Sequence, residues 1–318
     1  MKFVFLGTGA GKPTKQRNLS ALAFIMENEN GWYLFDCGEA TQHQILKSPL
    51  KSGSLKNIFI THLHGDHYYG LLGLIDSFKM DNRKDDLTLY VPNGLREFLN
   101  CTMDISPDKL GYKLQIIEFK AYNEFKFDKF VLKVLPLYHS IESFAFFIKE
   151  YDKSNILNEV KLNKDGLKPS PLYSKLKQGK IVYQNGKKYI PQDYFLDPVP
   201  GRKVVICGDN AKPEILKNYM KDIDLLIHEA TYTKEVYKNL PIKVLHSTAC
   251  DVGKAAHDLN AKNLIVTHIS PRYHNKGKYP ITLLEDEIRL NYKKNFFIAD
   301  DLDSYRLDHF GSLVKETL

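Results

Sequence analysis

Cysteine is scarce and dispersed in this chain of 318 residues: Cys37, Cys101, Cys207 and Cys250 lie far apart, and no two of them form a CxxC pair. That spacing excludes a zinc ribbon and a small disulfide scaffold and leaves buried free thiols as the expectation. Long apolar runs are also missing. Met1 to Gly7 is too short for the apolar stretch of a signal peptide, and no later run approaches the roughly 18 residues of a membrane span. The expectation is a cytoplasmic protein without membrane contact. Internal repeats and low-complexity tracts are absent from the sequence, which removes solenoids and arrays. With 43% hydrophobic and 26% charged residues the chain sits near globular averages, so its length suffices for a substantial core.

The charge is modestly basic, 45 Lys and Arg against 38 Asp and Glu, but the excess is concentrated. Between Glu150 and Ile190 nine lysines face four acidic residues. The stretch Asp152 to Ile190 is rich in Lys, Asn and Gly, contains Pro169 and Pro171, and lacks a continuous core pattern. We take it as an inserted basic arm, at about 152–190, on a single domain spanning 1–318. Its lysines suit phosphate contacts, and Tyr173, Tyr183 and Tyr189 suit occasional stacking on bases.

Outside the arm, short apolar runs alternate with helical periodicity. Lys2 to Leu6 reads as a strand, followed by the glycine-rich Gly7-Thr8-Gly9-Ala10-Gly11-Lys12-Pro13. This fits neither GxGxxG nor GxxxxGK[ST] and predicts a tight turn into a basic loop. Leu19 to Met26 and Trp32 to Phe35 predict a hairpin, and helices are predicted at Thr41 to Lys47, Leu71 to Phe78, around Leu95 to Leu99, Thr248 to Leu259 and Leu283 to Tyr292. Four strand-like runs end directly on a metal-competent side chain: Ile58 to Thr61 before His62, Val134 to Tyr138 before His139, Val204 to Gly208 before Asp209, and Leu264 to Thr267 before His268. The fold class is α/β, sheets covered by helices.

The strongest chemical signal is Thr61-His62-Leu63-His64-Gly65-Asp66-His67. His62 and His64 are two apart, so on an extended segment both imidazoles face one side and can share an ion. Asp66 and His67 follow where the chain turns into a helix near Tyr68, and Gly65 allows the tight path that turns this second pair toward a neighbouring ion. Imidazole and carboxylate donors suit Zn²⁺, with Mn²⁺ as the alternative where oxygen dominates. The isolated His43, His257, His274 and His309 are assigned to core or surface.

The spacing HxHxDH resembles the metallo-β-lactamase superfamily, and His139, Asp209 and His268 match its remaining ligand motifs in chain order. Pro13-Thr14-Lys15-Gln16-Arg17-Asn18 is similar to the PxKxRN loop of the ribonuclease Z family, which removes the 3′ trailer from precursor tRNA. His228-Glu229-Ala230-Thr231 is similar to that family's HEAT loop, and His246-Ser247-Thr248 to its HST motif. Lys168 to Gly179 resembles its flexible arm, with Ser170-Pro171 where many members carry Gly-Pro. Glycine reaches angles that serine reaches poorly, so the arm geometry is expected to differ there.

The resemblance implies an αββα sandwich with two Zn²⁺ per subunit, one held by His62, His64 and His139, the other by Asp66, His67 and His268, with Asp209 bridging. It implies attack of a metal-bridging hydroxide on phosphorus, Asp66 accepting a proton, His246 protonating the leaving 3′-oxygen and Glu229 orienting His246. The products would be a 3′-hydroxyl on the tRNA and a 5′-phosphate on the trailer. Lys15, Arg17 and Arg272 are assigned to substrate binding, precursor tRNA is the partner, and homodimers are implied. Two other classes compete: a small-molecule esterase or lactonase of the same superfamily, which needs no basic arm, and a catalytically silent RNA-binding protein, which would have lost ligands.

Overall fold

The structure is a computed structural model and describes residues 1–105, 109–274 and 277–317. It divides into two compact units, Met1–Ile148 with Lys203–Leu318, and Lys149–Arg202.

The larger unit is built on two sheets. The first has eight strands in the order Leu313–Glu316, Ser304–Leu307, Lys2–Gly7, Ala21–Ile25, Trp32–Phe35, Leu55–Phe59, Leu87–Pro92 and Leu114–Phe119. The second has seven, ordered Asn295–Ile298, Asn263–Thr267, Leu225–Glu229, Lys203–Cys207, Ser143–Glu150, Phe130–Leu137 and Glu124–Lys126. Alternation along the strands gives each sheet two apolar faces. The inner faces meet in one core, where Phe24, Phe35 and Phe59 of the first sheet share a cluster with Phe146, Ile206 and Ile227 of the second. Each such side chain contributes about 1.5–3 kcal/mol on leaving water. The outer faces carry helices. Leu71, Leu74, Ile75 and Phe78, at helical spacing on Leu71–Met80, cover the first sheet, and Val252, Ala256, Leu284 and Ile288 of Ala249–Asp258 and Thr282–Asn291 cover the second. Four layers result, the metallo-β-lactamase arrangement of helices, sheet, sheet and helices.

Both sheets contain parallel runs, and these place the site. In the second, Ile206 pairs with Ile227 and Glu229 with Thr267, so the carboxyl ends of three parallel strands come level. In the first, Phe35 pairs with Phe59, which brings Asp36 and Ile60 to the same edge. Ligand sites of open parallel sheets lie at such ends. Gly208 is required there, because a Cβ would stand 2.6 Å from Thr61 Cβ.

The predicted hairpin is present as the antiparallel pair Ala21–Ile25 and Trp32–Phe35. The five predicted helices are present, with Leu95–Ile105 running further than its apolar pattern suggested. No helix among the described residues is long and apolar enough to cross a membrane. The four cysteines are free, but only Cys37 is buried; Cys101 is exposed, correcting the expectation of buried thiols.

The smaller unit departs from the expectation in extent and character. It runs beyond 152–190 in both directions, and its ends are tied by an ion pair in which Arg202 Nε and Nη2 donate to Glu150 Oε2 and Oε1 at 2.7 and 3.0 Å. It also has its own core, in which Leu157, Leu162, Leu167, Leu176 and Val182 pack with Tyr173, Tyr189 and Tyr194. The apolar positions are spread over two short helices and a hairpin, so no continuous periodicity announces them. Tyr173 and Tyr189 are therefore core residues and unavailable for stacking, whereas Tyr183 is 67% exposed. All nine lysines are exposed. Ser170 is extended at φ −162°, a conformation open to any residue, so this position has no need of glycine. Truncating the centre of this core with Leu176→Ala is expected to destabilise the unit by about 2–5 kcal/mol. Hydrogen exchange accelerated within Lys149–Arg202 and unchanged in the two sheets is the expected readout.

Candidate metal centre

The strand Leu55–Phe59 runs through Ile60 and Thr61 to His62, and the short helix Gly65–Tyr68 that follows carries Asp66 and His67. His139, Asp209 and His268 arrive from the ends of Phe130–Leu137, Lys203–Cys207 and Asn263–Thr267. Their donor atoms form two groups. His62 Nε2 and His139 Nε2 lie 3.2 and 3.1 Å from His64 Nδ1, and each is 3.7 Å from Asp209 Oδ2. His268 Nε2 lies 3.3 Å from both His67 Nε2 and Asp66 Oδ2, and both nitrogens are 3.5 Å from Asp209 Oδ1. Donors 2.0–2.1 Å from a tetrahedrally held ion stand roughly 3.3–3.4 Å apart, so each group has the dimensions of a metal cage. Asp209 belongs to both, one oxygen to each.

Four of the five imidazoles are turned by a partner on the other nitrogen, a common feature of metal-binding histidines, while His64 Nε2 has only Ser140 Oγ at 3.5 Å. Thr61 Oγ1 donates to Asp36 Oδ2 at 2.9 Å and so accepts from His62 Nδ1 at 3.0 Å. His67 Nδ1 donates to Asp36 Oδ2 at 2.7 Å, and His139 Nδ1 to the Leu245 carbonyl at 2.7 Å. Thr231 Oγ1 donates to Glu229 Oε2 at 2.5 Å and accepts from His268 Nδ1 at 3.2 Å. These tautomers leave the inward nitrogens as acceptors. Acceptors facing acceptors repel unless a cation stands between them.

The electrostatics have the same sense at His62, His64 and His139 and the opposite sense at His67. Burial, reinforced by the neighbouring imidazoles, holds His62 well below the ordinary histidine value, and burial also lowers His64 and His139. Neutral imidazole is the form that binds metal. Burial alone would lower His67 as well, but the carboxylates of Asp36, Asp209 and Asp66 overcome it and push it up to about 10. Burial works against the charge on Asp66, yet His268, His67 and the Gly11 N–H, which donates to Oδ2 at 2.8 Å, hold it far below the usual carboxylate range. Asp36, Asp209 and Glu229 are buried, a negative charge that favours bound cations.

His246 stands at the rim. Thr248 caps the helix Ala249–Asp258, Ser247 Oγ donates to the Asn210 carbonyl, and His246 Nδ1 donates to Glu229 Oε2 at 3.0 Å. Burial lowers His246, but Glu229, Asp209 and Asp66 raise it to about 9. Burial conversely raises Glu229, and His246, His268 and His228 bring it down to about 2. His228 of the same motif is buried between the Glu229 carbonyl and Asn210 and has a structural place.

Of the residues assigned to substrate, Arg272 is exposed in an open cleft of about 660 Å³ beside His246, together with Lys12, Tyr232 and Ser270. Lys15 is exposed on the loop but does not line this cleft. Arg17 is turned inward, 8% exposed, its guanidinium bonded to Thr8, Ala299 and Asp300, which removes it from direct substrate contact. Asp36 and Lys12 join the site without having been marked as site residues, and Thr61, which opens the HxHxDH segment, joins it as a hydrogen-bonding partner rather than a ligand. Asp36 had a detectable signal, since it too ends a strand, Trp32–Phe35.

Residues 1–164 match the family model described as anti-Pycsar protein Apyc1. Curated relatives named ribonuclease Z align over nearly the whole chain. That of Pseudomonas putida (strain W619) is 36% identical, covering 100% of this chain and 99% of its own, and that of Bacillus cereus is 40% identical, covering 97% and 100%. Among solved structures, human tRNase Z, short form, matches with a TM-score of 0.67 at 28% identity, covering 97% of this chain and all of that one. The metallo-β-lactamase fold protein YhfI from Bacillus subtilis matches at 0.66 and 16% identity, a likeness of fold alone.

Because Asp36 orients His67 and, through Thr61, His62, Asp36→Ala is expected to weaken metal affinity about 10–100-fold. Asp209→Ala, which removes a donor from both groups, is expected to weaken both positions. Competition against a chromophoric chelator, with elemental analysis of the dialysed protein, measures each.

Proposed function

This chain belongs to the ribonuclease Z family, its residues 1–164 falling also in the family described as anti-Pycsar protein Apyc1, and from that premise we propose that it removes the 3′ trailer from precursor tRNA as a metal-dependent endonuclease. The observation that carries the hydrolytic reading is Asp209, whose two oxygens face different donor groups. His62, His64 and His139 would hold one Zn²⁺ and Asp66, His67 and His268 the other. Bound there, the ions supply Lewis acidity toward phosphoryl oxygens and activation of water at neutral pH.

The chain's own groups have separable roles in this proposal. Asp66 ligates and accepts the proton of the attacking water. Glu229 fixes the Nδ1–H of His246, so that Nε2 is the nitrogen that protonates the departing 3′-oxygen, leaving a 3′-hydroxyl on the tRNA and a 5′-phosphate on the trailer. Arg272 and Lys12 offer two cations to the phosphates that flank the scissile one. The exposed lysines of Lys149–Arg202 engage the tRNA body through its backbone. We further propose homodimers, as the family resemblance implies, and a cytoplasmic location.

The decisive measurement is the cleavage position on a precursor tRNA with a 3′ trailer, in the presence of Zn²⁺ or Mn²⁺. Cleavage directly after the acceptor end is expected; an intact precursor together with hydrolysis of small esters overturns the assignment. Asp66→Ala should abolish cleavage while precursor affinity is retained, because the phosphate contacts lie elsewhere. His246→Ala should slow it by about 10²–10⁴-fold. Replacing Lys175, Lys177 and Lys180 by Ala should weaken binding and reduce the dependence of log K on log salt by about 0.7–0.9 for each phosphate no longer neutralised.

A further inference from the structure

Arg17 lies in the loop that resembles a substrate-binding motif, yet its guanidinium faces the protein. Nη1 donates to Thr8 Oγ1 and to the Ala299 carbonyl, both at 2.6 Å, and Nη2 donates to Asp300 Oδ1 at 2.5 Å. The next turn of the chain continues this bonding. Thr8 Oγ1 donates to Asp301 Oδ1 at 2.7 Å, and the Asn18 N–H donates to Asp301 Oδ2 at 2.6 Å. Asn18 Nδ2 donates to the Glu39 carbonyl at 2.9 Å, and the Gly9 N–H to the Asn18 carbonyl at 2.8 Å. The loop between Thr8 and Asn18 is thus closed on itself and anchored to the turn at Asp300 and Asp301.

Two contacts lead from this closed loop to the donor groups. The Gly11 N–H donates to Asp66 Oδ2 at 2.8 Å, the same oxygen that lies 3.3 Å from His268 Nε2. Gly11 has φ +70°, where glycine carries no Cβ penalty. The loop also pairs with the residue after His268: the Ile269 N–H donates to the Thr8 carbonyl at 2.8 Å, and the Ala10 N–H to the Ile269 carbonyl at 3.1 Å. His268 has φ 56°, a left-handed conformation that a non-glycine residue keeps only when its neighbours are held.

We infer that Arg17 is a positioning residue for the ion position formed by Asp66, His67 and His268: by closing the loop Thr8–Asn18 it holds the Gly11 N–H on Asp66 and the backbone of Thr8 and Ala10 on Ile269. This rests on Asp66 and His268 serving as ligands. A guanidinium suits the task because its planar fork reaches three acceptors on two chain segments at once, which an ammonium on a flexible stem does less well. Removing the fork frees the loop, and the loss falls on a metal position that Arg17 never touches.

The test measures metal affinity and RNA affinity separately. Metal-free Arg17→Ala, Arg17→Lys and the wild type are titrated with Zn²⁺ against a chromophoric chelator, and precursor tRNA binding is measured by filter retention. Arg17→Ala is expected to weaken one of the two Zn²⁺ positions about 10–100-fold, with Arg17→Lys intermediate and RNA affinity within about two-fold of wild type. Turnover of Arg17→Ala should fall at limiting Zn²⁺ and recover when Zn²⁺ is raised, with KM little changed. If Arg17→Ala does not fold, Asp300→Asn, which keeps an acceptor and removes the charge, should show the same shift at smaller size. Zn²⁺ affinity equal to wild type in the folded variants overturns the inference, as does a loss confined to RNA binding. The Zn²⁺ titration needs no RNA, so it decides the role of Arg17 whether or not the wild-type chain cleaves precursor tRNA.

Discussion

Six side chains converge on Asp209, and such a convergence of ligand atoms is tolerable in a protein interior only with cations among them. The requirement reaches outward. An imidazole presents a lone pair inward only if its other nitrogen gives its proton to something, and Thr61, Asp36, the Leu245 carbonyl and Thr231 receive those protons. These acceptors must themselves be satisfied, which explains why Thr61 leans on Asp36 and Thr231 on Glu229. Glu229 then serves two histidines, His268 through Thr231 and His246 directly.

The two sheets supply the rigidity that this requires. Side chains on strand ends inherit the precision of the ladder behind them, whereas a loop would have to order itself around the ion. The parallel pairing that levels Asp209, Glu229 and His268 is stabilised by Val205, Leu226 and Leu264 beneath, all fully buried. Gly208 and the left-handed Asp36 and His268 are the local departures that bring the donors round the corner from strand to centre.

Much of this is legible in the sequence. The alternation of apolar strand and ligand at His62, His139, Asp209 and His268 is one-dimensional, because a strand end and its next residue are neighbours in the chain. The helices at Leu71 and Ala249 are legible for a similar reason, their apolar spacing being local. What escapes is decided across distance. Nothing near Arg17 says that its partners are Ala299 and Asp300, so a cationic loop residue reads as a substrate contact. Tyr173 and Tyr189 look like exposed aromatics until Leu162 and Leu176 close over them. The core of Lys149–Arg202 is built from single apolar residues in short elements, and no window along the chain holds enough of them to reveal a pattern.

The donors are also widely separated along the chain: His67 and His268 are 201 residues apart, and Arg17 reaches across 282 to Ala299. Contacts of such separation are slow to form, because the loop they close must be closed first. An incomplete chain emerging from the ribosome therefore holds the HxHxDH segment for a long interval without His268 or the Asp300 turn. His268 can join the centre only after Asn263–Thr267 has been made, and the turn that holds Arg17 follows one strand later, after Asn295–Ile298, so the centre cannot assemble before most of the chain exists.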